Sequence, residues 1–318
     1  MFYKSQEEIQ KDWKQFDRLQ VSIRCITYNH APYIANALDS FLMQETNFPF
    51  EIVVHDDAST DGTADIIREY EKKYPKIIKP IYETENQYSK KDGSLKKILD
   101  EVCVGKYTAM CEGDDYWCDS KKIQKQYDFL ETNPDYSACA HNTKIINLDN
   151  NSERTMFPIE DKIITLSDSS GFCHVSSLMF RTDFYSKWPK FMDDSKAPGD
   201  IKLNAILKIN GPILRYGKVM SVYRYGVPGS WQKRRLANKN VSLDNSKNVL
   251  DFYKELEIWA PNDLKEFVKK LIEKQQFLIY CKTYDIKRAR TEYPCYWKSL
   301  SLKRKLYYTY RFFVKKIV

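Results

Sequence analysis

No run of roughly 18 apolar residues occurs in the 318-residue chain, so its sequence offers no helix able to span a bilayer. A charged start followed by an apolar stretch is also missing. MFYKSQEEIQKDW reads instead as a short helix, with Ser5 and Glu8 spaced as a capping box, and the chain is expected in the cytoplasm. No C-x-x-C pair occurs among the eight cysteines, which argues against zinc and disulfide frameworks. Cys25, Cys103, Cys111 and Cys139 sit in or beside apolar segments and read as buried hydrophobes. The four histidines, His30, His55, His141 and His174, show no metal-ligand spacing. Neither G-x-G-x-x-G nor G-x-x-x-x-G-K-[ST] is found, so any bound nucleotide must have its phosphates neutralised by other means. Internal repeats and low-complexity linkers are absent too. No acidic residue follows Glu292, whereas Lys298, Lys303, Arg304, Lys305, Arg311, Lys315 and Lys316 all do.

What is present suits a globular protein: 42% hydrophobic and 30% charged residues, enough for one large domain with an appendage or two modest ones. From Val21 to about Ile146 short apolar runs alternate with amphipathic stretches. VSIRCIT (21–27) reads as a strand, although Arg24 is odd for one buried on both faces. Tyr33 to Gln44 places Ile34, Ala37, Leu38, Phe41 and Leu42 on one helical face. EIVVH (51–55) is the next strand, and Thr63 to Tyr74 a helix burying Ile66, Ile67, Tyr70 and Tyr74. IIKPIY (77–82) carries a proline and reads as a short or edge strand. Leu95–Val102 and Lys121–Leu130 read as helices around a strand at 106–111. This alternation implies a parallel sheet covered on both faces.

The later chain changes character. CHVSSLMFR (173–181) and ILRYGKVMSVYRY (213–225) read as strands, with a helix near 201–209 between them. From about Leu243 onward the pattern is helical. The expected organisation is an N-terminal helix over 1–20, a domain over 21–235 and a helical region over 236–318. The domain would have a nucleotide-binding half near 21–118 and an acceptor half near 119–235.

In parallel sheets ligands bind beyond the carboxyl ends of the strands. Three polar motifs fall there: TYNH (27–30), HDDASTDGT (55–63) and EGDD (112–115). In the second, Ser59, Thr60 and Asp61 can cap the following helix, or Asp57 can accept donors from a nucleoside. In CEGDDYW (111–117) three carboxylates fall within four residues. At about 4 Å two like charges repel by roughly 4 kcal/mol at an effective dielectric near 20, so the cluster needs water or a cation. Hard oxygen ligands suit Mg2+ or Mn2+, which bridge to diphosphate oxygens; a solvated acidic turn is the alternative. Tyr116 and Trp117 would form a pocket wall or plug the sheet end.

VSIRCITYNHAPYIANALDSFL, EIVVHDDASTDGT and GKYTAMCEGDDYW with KKIQKQYDFLE together resemble family 2 glycosyltransferases of the GT-A fold over roughly residues 20–230. The resemblance implies a Rossmann-like α/β fold, a mostly parallel sheet flanked by helices, here with a helical C-terminal extension. It implies a metal-dependent, inverting transfer from a nucleoside-diphosphate sugar, most commonly a UDP-sugar, to a saccharide hydroxyl in cell-surface polysaccharide or glycolipid synthesis. Carried over by motif, Thr27, Tyr28 and Asn29 line the base and ribose pocket, and Asp57 contacts the base. Glu112 and Asp114 occupy the acidic D-x-D positions with Asp115 adjacent, as ligands for Mn2+ or Mg2+. Glu112 departs from the family's usual aspartate. APGDIKLN (197–204) points to Asp200 as the general base, with an N-cap of the helix from Ile201 as its other reading. The family's closing-loop histidine is missing from GVPGS (226–230). Arg224, or Arg234 and Arg235, would bring positive charge to the diphosphate instead, unless this is a solvated basic loop.

In the tail, Leu302, Leu306, Tyr310, Phe313 and Ile317 share a helical face, with Arg304, Lys305, Tyr308, Arg311 and Lys315 largely off it. That pattern suits a helix on the cytoplasmic membrane surface, near a lipid-linked acceptor, or else docking on the body or a second subunit. No nucleic-acid partner is expected. A nucleotidyltransferase would share the sheet and metal site but needs a Gly-rich basic loop where TYNHAPY stands. A sugar-binding scaffold would keep the fold without turnover.

Overall fold

The computed structural model describes residues 4–166, 168, 172–184, 188–230, 232–233 and 238–317, the side chains of 239 and 313–317 excepted. In chain order the elements are α1 (Gln6–Gln10), β1 (Val21–Thr27), α2 (Ile34–Leu42), β2 (Phe50–Asp56), α3 (Thr63–Lys73), β3 (Ile78–Tyr82), α4 (Gln87–Lys90), α5 (Ser94–Val102) and β4 (Tyr107–Met110). Then come β5 (Tyr116–Trp117), α6 (Lys122–Thr132), β6 (Ala138–Asn147), β7 (Ser152–Thr155), β8 (Lys162–Ile164), β9 (Met179–Arg181), α7 (Lys190–Asp194), α8 (Gly199–Asn210) and β10 (Ile213–Tyr225). The chain forms two compact units, Met1–Asp194 with Leu203–Pro228, and Ser195–Lys202 with Gly229–Val318.

The first unit is a sheet in the order β3-β2-β1-β4-β9-β6-β10-β5, with β7 on β6 and β8 on β10. Strands β3, β2, β1 and β4 are parallel, joined by crossover helices as the alternating sequence required. Beyond β4 the sheet is mixed: β9 runs antiparallel to both β4 and β6, and β5 antiparallel to β10. The stretch expected as one strand over 173–181 gives only β9. Ahead of it His174 caps a 3-10 turn, its carbonyl accepting from Ser177 N–H at 2.9 Å and Ser177 Oγ at 2.7 Å. Strand β6 was not expected at all. His141, Asn142 and Thr143 break its apolar run, yet all three are buried and bonded, Asn142 Nδ2 to the Phe157 carbonyl at 2.8 Å.

The apolar face expected of α2 is fully buried at Ile34, Ala37, Leu38, Phe41 and Leu42, and α3 adds Ile67 with Ile66 and Tyr70 packed against it. Strand β3, with Pro80, is the sheet edge. Arg24 is buried because α5 brings Asp100 Oδ1 to 3.0 Å from its Nη1. α1 closes its capping box, Ser5 Oγ accepting from Glu8 N–H at 3.2 Å and Glu8 Oε2 from Ser5 N–H at 2.6 Å.

The second unit carries α9 (Lys239–Trp259), α10 (Asn262–Lys282), α11 (Ile286–Thr291), α12 (Pro294–Ser299) and α13 (Leu302–Ile317). α9 packs along α10, and Gln275 Nε2 donates to the Ser246 carbonyl across them at 2.8 Å. Phe277, Cys281 and Ala289 form a small core with Tyr293, Trp297 and Tyr308 against it. Among the described residues no helix is long and apolar enough to cross a membrane.

One polar group in the first unit's core has a measurable consequence. Lys122 is fully buried, its ammonium 3.8 Å from the Trp117 ring centroid and donating to Gln126 Oε1 at 2.8 Å. Burial pushes it from 10.5 down to about 7. Between those values the unfolded chain holds a proton the folded one lacks, so stability rises with pH from about 7 towards 10.5 and the cost is complete below 7. Urea unfolding at pH 7 and pH 9 should show this rise in the parent and a smaller one in Lys122→Met; identical pH dependence in both would contradict it.

Candidate active site at the carboxyl edge of the sheet

Strands β1, β2 and β4 end together, Thr27 lying in register with Asp56 and Arg24 with Met110. The loops that leave them are tied to one another rather than loose. Asn29, in the left-handed region at φ 56°, donates its N–H to Ser59 Oγ and accepts Thr60 N–H on its Oδ1, both at 2.8 Å. His30 N–H donates to Thr63 Oγ1 at 2.9 Å and Ala31 N–H to Asp61 Oδ2 at 3.0 Å. The N-cap of α3 is Gly62, with no side-chain cap; Asp61 just before it accepts Thr63 N–H at 3.0 Å, while Ser59 and Thr60 serve the loop contact.

The expected nucleoside residues are spread in depth. Tyr28 is 45% exposed, and Asn29 is half-buried. Thr27 is sealed beneath Gly113. Asp57 is buried, and its carboxylate already accepts Gln87 N–H at 2.6 Å and Tyr88 N–H at 3.1 Å. It holds the start of α4 in place, a use that the strand-end motif did not reveal.

After β4 the carboxylates of Glu112, Asp114 and Asp115 offer ligand atoms within 4.8 Å of one another. Asp115 is fully buried; its Oδ1 accepts Arg224 N–H at 3.0 Å. Burial, with Asp114 and Glu112 beside it, holds the Asp115 carboxyl well above the usual carboxylate range. Its Oδ2 has no partner among the described residues, nor have Thr27 Oγ1, His30 Nδ1 and Asp56 Oδ1. Each such buried group costs about 1–3 kcal/mol unless something else meets it. An oxygen-rich, anionic set with an unmet buried oxygen fits a hard divalent cation, whose charge reverses the repulsion among the three.

Arg224 braces this loop. Its guanidinium donates to the Asp114 carbonyl and to Asn36 Oδ1, each at 2.6 Å, and lies 4.5 Å from the Tyr116 ring centroid and 5.2 Å from that of Tyr33. Trp117 plugs the sheet end, edge-on to Phe41 at 4.8 Å with Nε1 donating to the Ser176 carbonyl at 2.9 Å. Sequence reasoning missed His30, whose Nε2 lies 3.8 Å from Asp114 Oδ2. It also missed Tyr223, whose hydroxyl is pushed up by burial and by the charges of Asp115, Glu112 and Asp114. His174 stacks on Tyr223 with centroids 4.5 Å apart. Strand alternation, which puts Tyr223 and Tyr225 on one face of β10, was the available signal.

Asp200 is in the other unit. Its helix, α8, begins at Gly199 rather than Ile201, so Asp200 stands in the first turn and its Oδ1 accepts Ile201 N–H at 2.9 Å. Arg234 and Arg235 lie outside the described residues.

The family model for glycosyl transferase family 2 matches residues 22–188, more than half of the chain, across all three motifs. The chain belongs to glycosyl transferase family 2. This family 2 glycosyltransferase is 34% identical over 217 residues to an uncharacterized protein of Mycobacterium tuberculosis, covering 66% of this chain and 60% of that one. The match thus spans about 60% of the length of its mycobacterial relatives. It is 35% identical over 112 residues to the Escherichia coli UDP-Glc:α-D-GlcNAc-diphosphoundecaprenol β-1,3-glucosyltransferase WfaP, covering 35% of this chain and 41% of that one. Staphylococcus aureus TarS 1–349, crystallised with UDP-GlcNAc, superposes with a TM-score of 0.62 at 16% identity, over 91% of this chain and 79% of that 1–349 chain. The last likeness shows the GT-A fold.

Gly113 is the glycine on which the acidic loop of this transferase turns. A Cβ there would stand 2.7 Å from Thr27 Oγ1, 2.8 Å from Thr27 Cβ and 3.1 Å from Ile34 Cδ1, all in rigid core. Gly113→Ala should cost about 1–3 kcal/mol in urea unfolding. Parent-like stability would show that the loop has room to give.

Proposed function

We propose that this transferase moves a sugar from a nucleoside-diphosphate sugar, a UDP-sugar, to a hydroxyl of a saccharide acceptor, with inversion and in dependence on Mn2+ or Mg2+. The observation that carries this is the trio Glu112, Asp114 and Asp115, with its unmet buried oxygen, at the edge where β1, β2 and β4 end. Tyr28 and Asn29 offer the surface for base and ribose, above Thr27. Asp57 serves that pocket from beneath, by fixing Gln87 and Tyr88. Glu112, Asp114 and Asp115 would hold the cation, which when bound neutralises charge on the departing diphosphate. Arg224 keeps the loop in its working shape, and guanidinium N–H groups beyond the two in use remain for a diphosphate oxygen.

On the acceptor side Asp200 takes the proton of the attacking hydroxyl. The amino end of α8 favours its ionised form. The nucleotide-binding half is residues 21–118 and the acceptor half 119–235. The E. coli relative's name, with its UDP-Glc donor and diphosphoundecaprenol-linked acceptor, supports a lipid-linked saccharide acceptor in cell-surface polysaccharide synthesis at the cytoplasmic face of the membrane.

A panel of nucleotide sugars incubated with Mn2+ should release nucleotide from one donor class. Asp200→Asn should bind that donor as the parent does while release falls about 10²–10⁴-fold. Full turnover in Asp200→Asn removes it as base, and failure of every donor to bind or react sinks the proposed substrate class.

A further inference from the structure

Among the described side chains α13 docks through one side: Tyr308 packs on the Phe277, Cys281 and Ala289 core, and Lys305 Nζ donates to the Lys298 carbonyl at 2.9 Å. On the same helix Arg311 lies 5.2 Å from the Tyr284 ring centroid. The opposite side carries Leu302, Leu306 and Tyr310 at successive i,i+4 positions, 72%, 62% and 67% exposed. Lys303 and Arg304 are exposed on the same helix. Body docking and an outward apolar stripe, alternatives in the sequence, are thus both present, on different sides of one helix.

We propose that this outer side of α13 is a contact for an anionic bilayer surface. Large side chains left in water at a regular helical spacing gain by leaving it. The charge around them selects the partner. No acidic residue follows Glu292 and seven basic ones do, so a second copy seated symmetrically on this side would meet like charge, whereas an anionic headgroup layer meets its complement. An interfacial helix sinks its apolar stripe about 5–10 Å into the headgroup boundary with the basic residues at the phosphate level, the arrangement Leu302, Leu306 and Tyr310 offer beside Lys303 and Arg304. The contact deepens the lipid-linked acceptor reading in naming the surface, but it is measured without a donor or an acceptor and stands or falls separately.

Flotation of the full chain with vesicles tests it. Binding to phosphatidylcholine vesicles containing about 30% phosphatidylglycerol should exceed binding to pure phosphatidylcholine about tenfold near 0.1 M salt, and weaken markedly near 0.5 M. Leu306→Ser with Tyr310→Ser alters only exposed side chains; with an unchanged circular dichroism spectrum and Tm it should lose about tenfold of that binding. Lys303→Glu with Arg304→Glu should abolish the preference for the anionic lipid. Absent binding, equal binding to both vesicles, or double variants that bind like the parent would overturn the proposal. So would a dimer in light scattering that the Leu306 and Tyr310 changes dissolve, because a second copy would then cover this side.

Discussion

Three carboxylates held within 4.8 Å at the mouth of a sheet are the constraint around which the first unit is organised. Bringing Glu112, Asp114 and Asp115 so close is unfavourable without a cation, and the surrounding structure is what prevents them from splaying apart. Arg224 fastens the loop from β10 through the Asp114 carbonyl, while Asp115 is fastened through the Arg224 backbone. Gly113 lets the chain pass against Thr27 without a clash. Trp117, buried against Phe41 and bonded to the Ser176 carbonyl, fixes where the loop re-enters the core. The fold supplies rigidity at the point where it gathers charges that repel one another.

Much of this was readable beforehand because the first half of the chain obeys local rules. Short apolar strands and amphipathic helices alternate over 21–132, and the strand ends that follow from them bring the three motifs to one edge. The failures have physical causes. β6 was invisible because His141, Asn142 and Thr143 are buried with hydrogen bonds rather than apolar contacts, which breaks the apolar run a buried strand is recognised by. The strand expected over 173–181 shrinks to β9 because His174 and Ser177 satisfy each other locally in a turn. Arg24, odd in a buried strand, is explained by Asp100, 76 residues away, a pairing no local pattern carries.

At the site itself residue types were easier to read than residue tasks. Asp57 was identified by its place after β2, but its two oxygens are taken by the backbone of Gln87 and Tyr88. Arg224 was identified by its charge, yet its guanidinium lies against two tyrosine rings and is bonded to Asn36 as well as to the acidic loop. His30, read at this edge without a ligand role, and Tyr223, not singled out, matter only through what folding sets beside them. The family match covers 22–188, so membership rests on that part of the chain. Asp200 and the helical second unit lie past it, and there the chain's own geometry has to carry the functional reading.

Calorimetric titration of UDP into the full chain, with Mn2+ and again with EDTA, tests the central claim most directly, since a bound cation would reconcile the three carboxylates with a diphosphate. The account predicts that affinity with Mn2+ exceeds that with EDTA by at least about tenfold, a difference of roughly 1.4 kcal/mol, and that Asp114→Asn removes most of this gain. UDP bound equally well under chelation, by the parent and the variant alike, would contradict it.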